Sequence, residues 1–273
     1  MAMDDVVKDL GYAVIGLTLF SGLMTGRAQY AASRDLHRAL PGANLNVRVD
    51  SRGVFGMALG QAYRVRIDGS HFGTATLPFA LEPGGGPTAE ARHLQLHLND
   101  VVLAGLPVAL LDADIPYVRV DAGRALFSGH LTLRSARPGT GIAVITEEGL
   151  AHFLASTRPQ LTDVRVSLGD KGIAVRARTG LLLGMADVEV QAGLVVRQGR
   201  YLDAVDARVT VGGREVPTSL ASRLMAVLNP VLDVERDLHL GDWLYVTGLV
   251  FQQGSVTVHA RVTIPLRQKE ERQ

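Results

Sequence analysis

His93, His97, Asp112 and Asp114 have the side chains in this chain best suited to catalysis or metal binding. Imidazoles can move a proton or hold zinc, and paired carboxylates can hold a hard divalent cation. Their spacing argues against both. Leu94, Leu96 and Leu98 alternate with His93, Gln95 and His97, the period of a strand with one apolar face. Four residues along a strand put the two imidazoles about 13 Å apart, too far for one ion. A helix would bring them together, but the leucine alternation favours the strand. Asp112 and Asp114 can share a strand face, yet no further ligand cluster is visible, and a solvated turn before Pro116 explains them as well. Gly69-Ser70-His71-Phe72-Gly73 lacks the Gly-x-Ser-x-Gly elbow of a hydrolase, and Gly84 to Gly86 lacks the Gly-Lys-Ser/Thr ending of a phosphate loop. Cysteine is absent, which removes thiolate chemistry, disulfides and Cys-based metal sites while leaving the compartment open. The reading is therefore non-enzymatic: no catalytic residue, no metal ligand and no cofactor are assigned.

Composition points the same way. A chain of 273 residues with 47% hydrophobic and 20% charged residues and a net charge of +1 is a folded protein without a dominant electrostatic signature. No basic stripe suits nucleic acid. An outer-membrane barrel would need aromatic girdles, whereas 5% of the residues are aromatic and one is tryptophan.

Beyond Gly42 the dominant period is two. Leu45, Val47 and Val49 alternate with polar residues, as do Tyr63, Val65 and Ile67. Further strands are expected near residues 117–121, 131–134, 142–145, 161–168, 172–178, 186–191, 194–197, 204–211 and 238–240. A last pair, 244–252 and 255–264, is joined by a tight turn at Gln253-Gly254. Two helices interrupt them. One is predicted over Glu147 to Ala155, with Thr146 as N-cap, Glu147 and Glu148 at the positive end of the dipole, and Leu150, Phe153 and Leu154 on its apolar side. Gly149 stands where a capping box would carry Glu. The other lies in the stretch Val216 to Val234, where Leu220, Leu224, Val227 and Leu228 follow helical spacing and Ser219, Ser222 and Arg223 leave a narrow polar stripe. A helix this apolar is covered on several sides, by protein or by an apolar ligand. Two runs of strands with one helix each hint at a duplication, halves 43–145 and 146–265, and Gly56-Met57-Ala58 echoes Gly184-Met185-Ala186.

Residues 1–42 form a separate N-terminal region. Between Asp9 and Arg27 no residue is charged, and Val14, Ile15, Leu17, Leu19, Phe20 and Leu23 give the segment the character of a short membrane anchor. A cleaved signal and a core helix running to Pro41-Gly42 are the other readings. Arg27, Arg34 and Arg38 follow the segment and only Lys8 precedes it, a bias that alone would keep the main domain on the cytoplasmic face. Residues 266–273 are a charged tail.

The residues carry a family resemblance. Thr146-Glu147-Glu148-Gly149-Leu150 opening a short helix, Val216-Pro217 before a helix that ends Leu228-Asn229-Pro230-Val231-Leu232-Asp233, and a final hairpin from Leu249 to Val262 resemble the LmeA family of bacterial envelope phospholipid-binding proteins. Ala58 to Ile67 is similar to that family's early strand. The likeness spans about residues 35 to 265. It implies an α+β, strand-rich fold of the tubular lipid-binding kind: a strongly curved antiparallel sheet wrapped around helices, with acyl chains on its inner face. It also implies a position at the cell membrane with the main domain extracytoplasmic, opposite to the arginine bias.

The expected partner is thus a phospholipid or other acyl-chain lipid, held without chemistry and then moved or presented, with the membrane reached through the N-terminal segment. Oligomeric state is left open. Each buried methylene contributes about 0.8 kcal/mol, so an apolar wall suffices for binding. Candidate wall residues are Phe153, Leu154, Leu220, Leu224 and Leu228 on the helices, and Val246, Leu249 and Val250 on the strand after them, according to which face turns inward. Each equally suits a plain core position. Trp243 and Tyr245 are either packing residues or headgroup contacts. The rival reading is an envelope structural or adaptor protein with a filled interior that binds a protein partner through its sheet.

Overall fold

The computed structural model describes residues 43–50, 61–74, 80–82, 84–122, 124, 132–170, 172–181 and 184–266, together with Tyr30 and Ser33. The expected anchor, the early Gly56-Met57-Ala58 motif and the tail beyond Leu266 lie outside the described residues. Among these residues no helix is long and apolar enough to cross a membrane.

In chain order the elements are β1 (Asn44–Asp50), β2 (Gln61–Thr74), β3 (Thr88–Leu103), β4 (Leu106–Asp121), β5 (Leu133–Ser135), β6 (Gly139–Thr146) and α1 (Glu147–Thr157). After α1 come β7 (Leu161–Gly169), β8 (Gly172–Leu181), β9 (Gly184–Arg197), β10 (Tyr201–Val211) and β11 (Arg214–Glu215). The chain then forms α2 (Thr218–Leu228), β12 (Leu232–Asp233), β13 (Leu244–Gln252) and β14 (Ser255–Val262). Two sheets result. The larger runs β1-β2-β3-β4-β6-β14-β13 with β5 beside β4, and the smaller runs β11-β10-β9-β8-β7 with β12 beside β10.

The strand-rich α+β class stands, but two details differ from the expectation. The sheets neither close nor curl strongly around a helix, and the larger one is mixed, because β2 and β3 run parallel. The connection over residues 75–87 is long enough for the chain to return and start β3 in the same direction, which a tight hairpin could not do. The helices, 11 residues each, are too short to fill a tube: α1 packs against β4, β6 and β7, and α2 against β10. The expected strand at Leu238 to Leu240 is instead irregular backbone that follows the turns over 234–238. Nor do β-strands break at Gly193, where β9 continues opposite Val205. β13 and β14, although late in the chain, belong to the larger sheet beside β6.

α1 joins the sheets. Thr146 caps it as expected, its Oγ1 accepting the Gly149 N–H at 3.1 Å. Glu147 ties three elements together: its N–H donates to Gly254 O (3.2 Å) in the β13–β14 turn, and its Oε1 accepts the Leu168 N–H (2.6 Å) from β7. Gly149 is required by close approach. A Cβ there would lie 2.7 Å from Pro107 O, so the Glu of a full capping box would push α1 off β4.

The far end of β4 is pinned by an ion pair. Asp121, 6% exposed, accepts the Arg124 N–H at 2.8 Å and pairs with Arg134, whose guanidinium also donates to Glu82 O (2.8 Å). The Arg124 hydrogen bond first, then Arg134, hold the Asp121 carboxyl below its usual range. A carboxyl depressed in the folded state stabilises the protein above its unfolded pKa, near 3.9, and that contribution is lost as pH falls through the folded value. Asp121→Asn is therefore expected to lower Tm at pH 7, with the gap to the parent protein shrinking below about pH 4; thermal melts across pH 3–7 measure it.

Candidate apolar cavity

Alternation puts the leucine face of the large sheet inward, and one row of that face is unusually small. Leu96 on β3 faces Ala113 on β4, Ala113 faces Gly141 on β6, Gly141 faces Ala260 on β14, and Ala260 faces Val246 on β13. Larger residues flank the row: Leu111, Ile115, Val258 and Val262. A Cβ on Gly141 would lie 2.8 Å from Val262 Cγ2, so glycine keeps this place in the row.

Opposite the row lies the segment from residues 231 to 243, which crosses the sheet as a strap. Leu232, Val234, Leu238, Leu240 and Trp243 all point from it into the interior and are at most 7% exposed. Between strap and sheet is a cavity of about 70 Å³, lined almost wholly by apolar atoms. Asp112 borders it through its strand only, because its carboxylate pairs with His97 on the other face.

The strap is anchored at its root by polar groups. The Asn229 side chain imitates a strand edge, its Oδ1 accepting the Ala204 N–H (2.8 Å) and its Nδ2 donating to Ala204 O (2.9 Å). Arg158, just past α1, donates to Pro230 O at 2.9 Å, and Asp237 accepts the Asp233 N–H at 2.9 Å. Asp233 in turn accepts the N–H groups of Glu235 and Arg236, both at 3.1 Å. Backbone pairing to the small sheet adds Val231 N–H to Leu202 O (2.8 Å) and Val234 N–H to Arg200 O (3.0 Å). Towards the large sheet the strap's middle offers side chains alone. Since Ala204 is 4% exposed, Asn229→Ala leaves its N–H and C=O unpaired in the interior and is expected to cost about 1–3 kcal/mol, read from urea unfolding.

The candidate wall residues separate into three groups. Val246 lines the cavity. Phe153 and Leu154, both 0% exposed, and Leu228 sit in the continuous core away from it, while Leu249 packs against that core. Leu220 and Leu224 are half-buried on α2, with Leu224 packed on the core. Val250 faces outward on β13 and is 47% exposed, so it belongs to no inner wall: the register shift between Val246 and Gly248 turns Leu249 inward in its place. Trp243 points inward, and Tyr245 points out beside the Arg261 guanidinium, 5.8 Å from its ring centre.

The polar candidates lie on the opposite, outer face of the large sheet. His93 Nδ1 is 3.0 Å from Asp114 Oδ1, and His97 pairs with Asp112 directly across β3 and β4. Both aspartates are strand residues, not part of a turn. His97, Asp112 and Asp114 border an open groove of about 510 Å³ with Arg66, Gln95, Thr140 and His259. Among the described residues no three His, Asp or Glu side chains come together to hold a metal.

Sequence reasoning missed the strap and the small row. Leu232 and Val234 read as the exit of the helix-bearing stretch, and Leu238 to Leu240 as another strand. Ala113, Gly141 and Ala260 lie far apart in sequence and align only through strand register.

The fold is thus a strand-rich α+β one with an apolar seam between the large sheet and the strap. A family model described as LmeA-like phospholipid-binding matches residues 88–261, well over half of the chain, which therefore belongs to that family. No curated protein and no solved structure matches it.

Proposed function

We propose that the chain binds phospholipid non-enzymatically by taking an acyl chain into the seam between the small-residue row and the strap. The observation that carries this reading is the cavity's lining: Ala113, Gly141 and Ala260 open a space that faces Leu232, Leu238, Leu240 and Trp243 with almost no polar atom. Such a wall rewards each buried methylene with about 0.8 kcal/mol and asks nothing of the acyl chain except its shape.

At about 70 Å³ the seam is nearly closed, comparable to the space of about two waters. An acyl chain enters by lifting the strap from the sheet. That wall is the one that yields, because its middle meets the large sheet through side chains while the sheet itself is held by continuous ladders. The headgroup stays outside the seam, where its charge keeps its water.

In this reading the main domain stands on the extracytoplasmic side of the cell membrane, tethered by the segment containing Val14, Ile15, Leu17, Leu19, Phe20 and Leu23, and moves or presents lipid there. Protease accessibility on intact cells tests the side. Co-purification of phospholipid, read by native mass spectrometry, tests the binding.

A further inference from the structure

Between Asp233 and Leu240 the strap folds back on itself. The Asp237 N–H donates to Asp233 O (2.8 Å), the His239 N–H to Glu235 O (3.0 Å) and the Leu240 N–H to Val234 O (3.0 Å). The carboxylates of Asp233 and Asp237 also turn back onto backbone N–H groups of this loop, which is thus cross-linked by its own polar groups. A loop bonded in this way moves as one body, a lid that presents Val234, Leu238 and Leu240 to the cavity.

The lid is held from two sides by different means. On the small sheet it hangs by backbone, Val234 N–H to Arg200 O, and by the Arg200–Glu235 ion pair (2.5 Å), whose side chains are both exposed. Such a pair holds little. On the other side stands one guanidinium. Arg158, at the end of α1, donates to Thr157 O (3.3 Å) and Pro230 O (2.9 Å) and lies 4.0 Å from the Asp237 carboxylate. The Arg158 and Asp237 side chains are 12% and 7% exposed, so water and salt weaken this pair far less. Arg236 also donates to Asp237 (2.8 Å), but it belongs to the lid and travels with it. Because α1 packs on β4 and β6, Arg158 ties the lid to the large sheet's side of the seam without lining the seam itself.

We propose that Arg158 is the latch of this lid: with Asp237 it holds residues 233–240 down over the seam, and release of the pair sets how fast an acyl chain enters and leaves. The backbone bonds of Val231 and Val234 to the small sheet are the hinge, and the strap's far end stays fixed through Thr263 N–H to Trp243 O (2.8 Å). This rests on the phospholipid reading above, which says what passes; the latch adds what regulates the passage. Since Arg158 forms no part of the cavity wall, its loss acts on the rate of exchange and leaves the capacity of the seam as it is.

The test loads the full chain with pyrene-labelled phosphatidylglycerol and follows transfer of the label to unlabelled vesicles. Arg158→Met keeps the apolar stem and removes every donor. It is expected to speed transfer about tenfold or more, the factor that goes with losing a hydrogen bond to a charged group from the closed state alone. Asp237→Asn keeps an oxygen for the Asp233 N–H and loses the charge; it speeds transfer by less, because Arg158 still holds Pro230 O, and the double variant is no faster than Arg158→Met. Glu235→Gln, which breaks only the exposed pair, has much the smaller effect. Hydrogen exchange on lipid-free protein reads the lid directly: the amides of Asp237, His239 and Leu240 lose protection in Arg158→Met while those of β3 and β4 keep theirs. Should thermal melts show Arg158→Met unfolded, Asp237→Asn decides on the same two readings. Unchanged transfer and unchanged amides in a folded variant, or equal acceleration by Glu235→Gln, overturn the latch. Protein that takes up no lipid yet shows the amide change sinks the phospholipid reading and leaves the latch standing.

Discussion

Ala113→Leu is expected to reduce bound phospholipid by about tenfold or more while leaving the fold intact. Ala113 is a buried member of the small row, beside Gly141, and a leucine there places its added carbons in the space between row and strap. Loss of about 1.4 kcal/mol of acyl-chain contact is enough for a tenfold change. Because the void already exists, the substitution fills it, and cavity filling commonly leaves stability level or raises it by about 0.5–2 kcal/mol. Ala260→Leu, one strand beyond Gly141 in the same row, repeats the test from another element, and Val250→Ala on the outer face is the control that leaves lipid content unchanged. Lipid extraction with quantitation, run beside thermal melts, reads both quantities. Undiminished lipid in the two leucine variants would place the ligand elsewhere.

Phe153→Ala is expected to give the opposite pattern, a large loss of stability with any loss of lipid following from unfolding. Phe153 is 0% exposed on α1, the helix that joins the two sheets, and its neighbour Leu154 is equally buried. Truncating a fully buried phenylalanine costs about 3–5 kcal/mol, a large share of the 5–15 kcal/mol that holds a typical domain together. Chemical denaturation measures it. A variant that keeps its midpoint but loses lipid would instead return Phe153 to the binding wall, where the family resemblance first put it.

These two residues show what the sequence made legible. Leu94, Leu96 and Leu98, Thr146 with its helix, and the Gln253-Gly254 turn are local patterns, and the structure places each where period and capping chemistry put it. The separation of His93 and His97 along one strand was equally readable, as was the family from its helix and hairpin motifs. What failed to read was long-range. Which strands neighbour one another decides that Ala113, Gly141 and Ala260 form one row, and no local pattern encodes that. Pairing also decides that β13 and β14 extend the first sheet, and that β2 and β3 run parallel. The Asn229-Pro230 step was readable as the end of α2, but that Asn229 bonds to Ala204 and the chain beyond it leaves as a strap was not. Apolar character predicted burial for Phe153 and Leu232 alike; it could not say which of them would border a space.

Native mass spectrometry of the full chain, purified gently from membranes of the producing cell, tests the central claim most directly. The seam predicts a loaded species carrying one phospholipid per chain, exchanged on incubation with vesicles and largely missing in Ala113→Leu. Empty protein alone, with no uptake from vesicles, would contradict it.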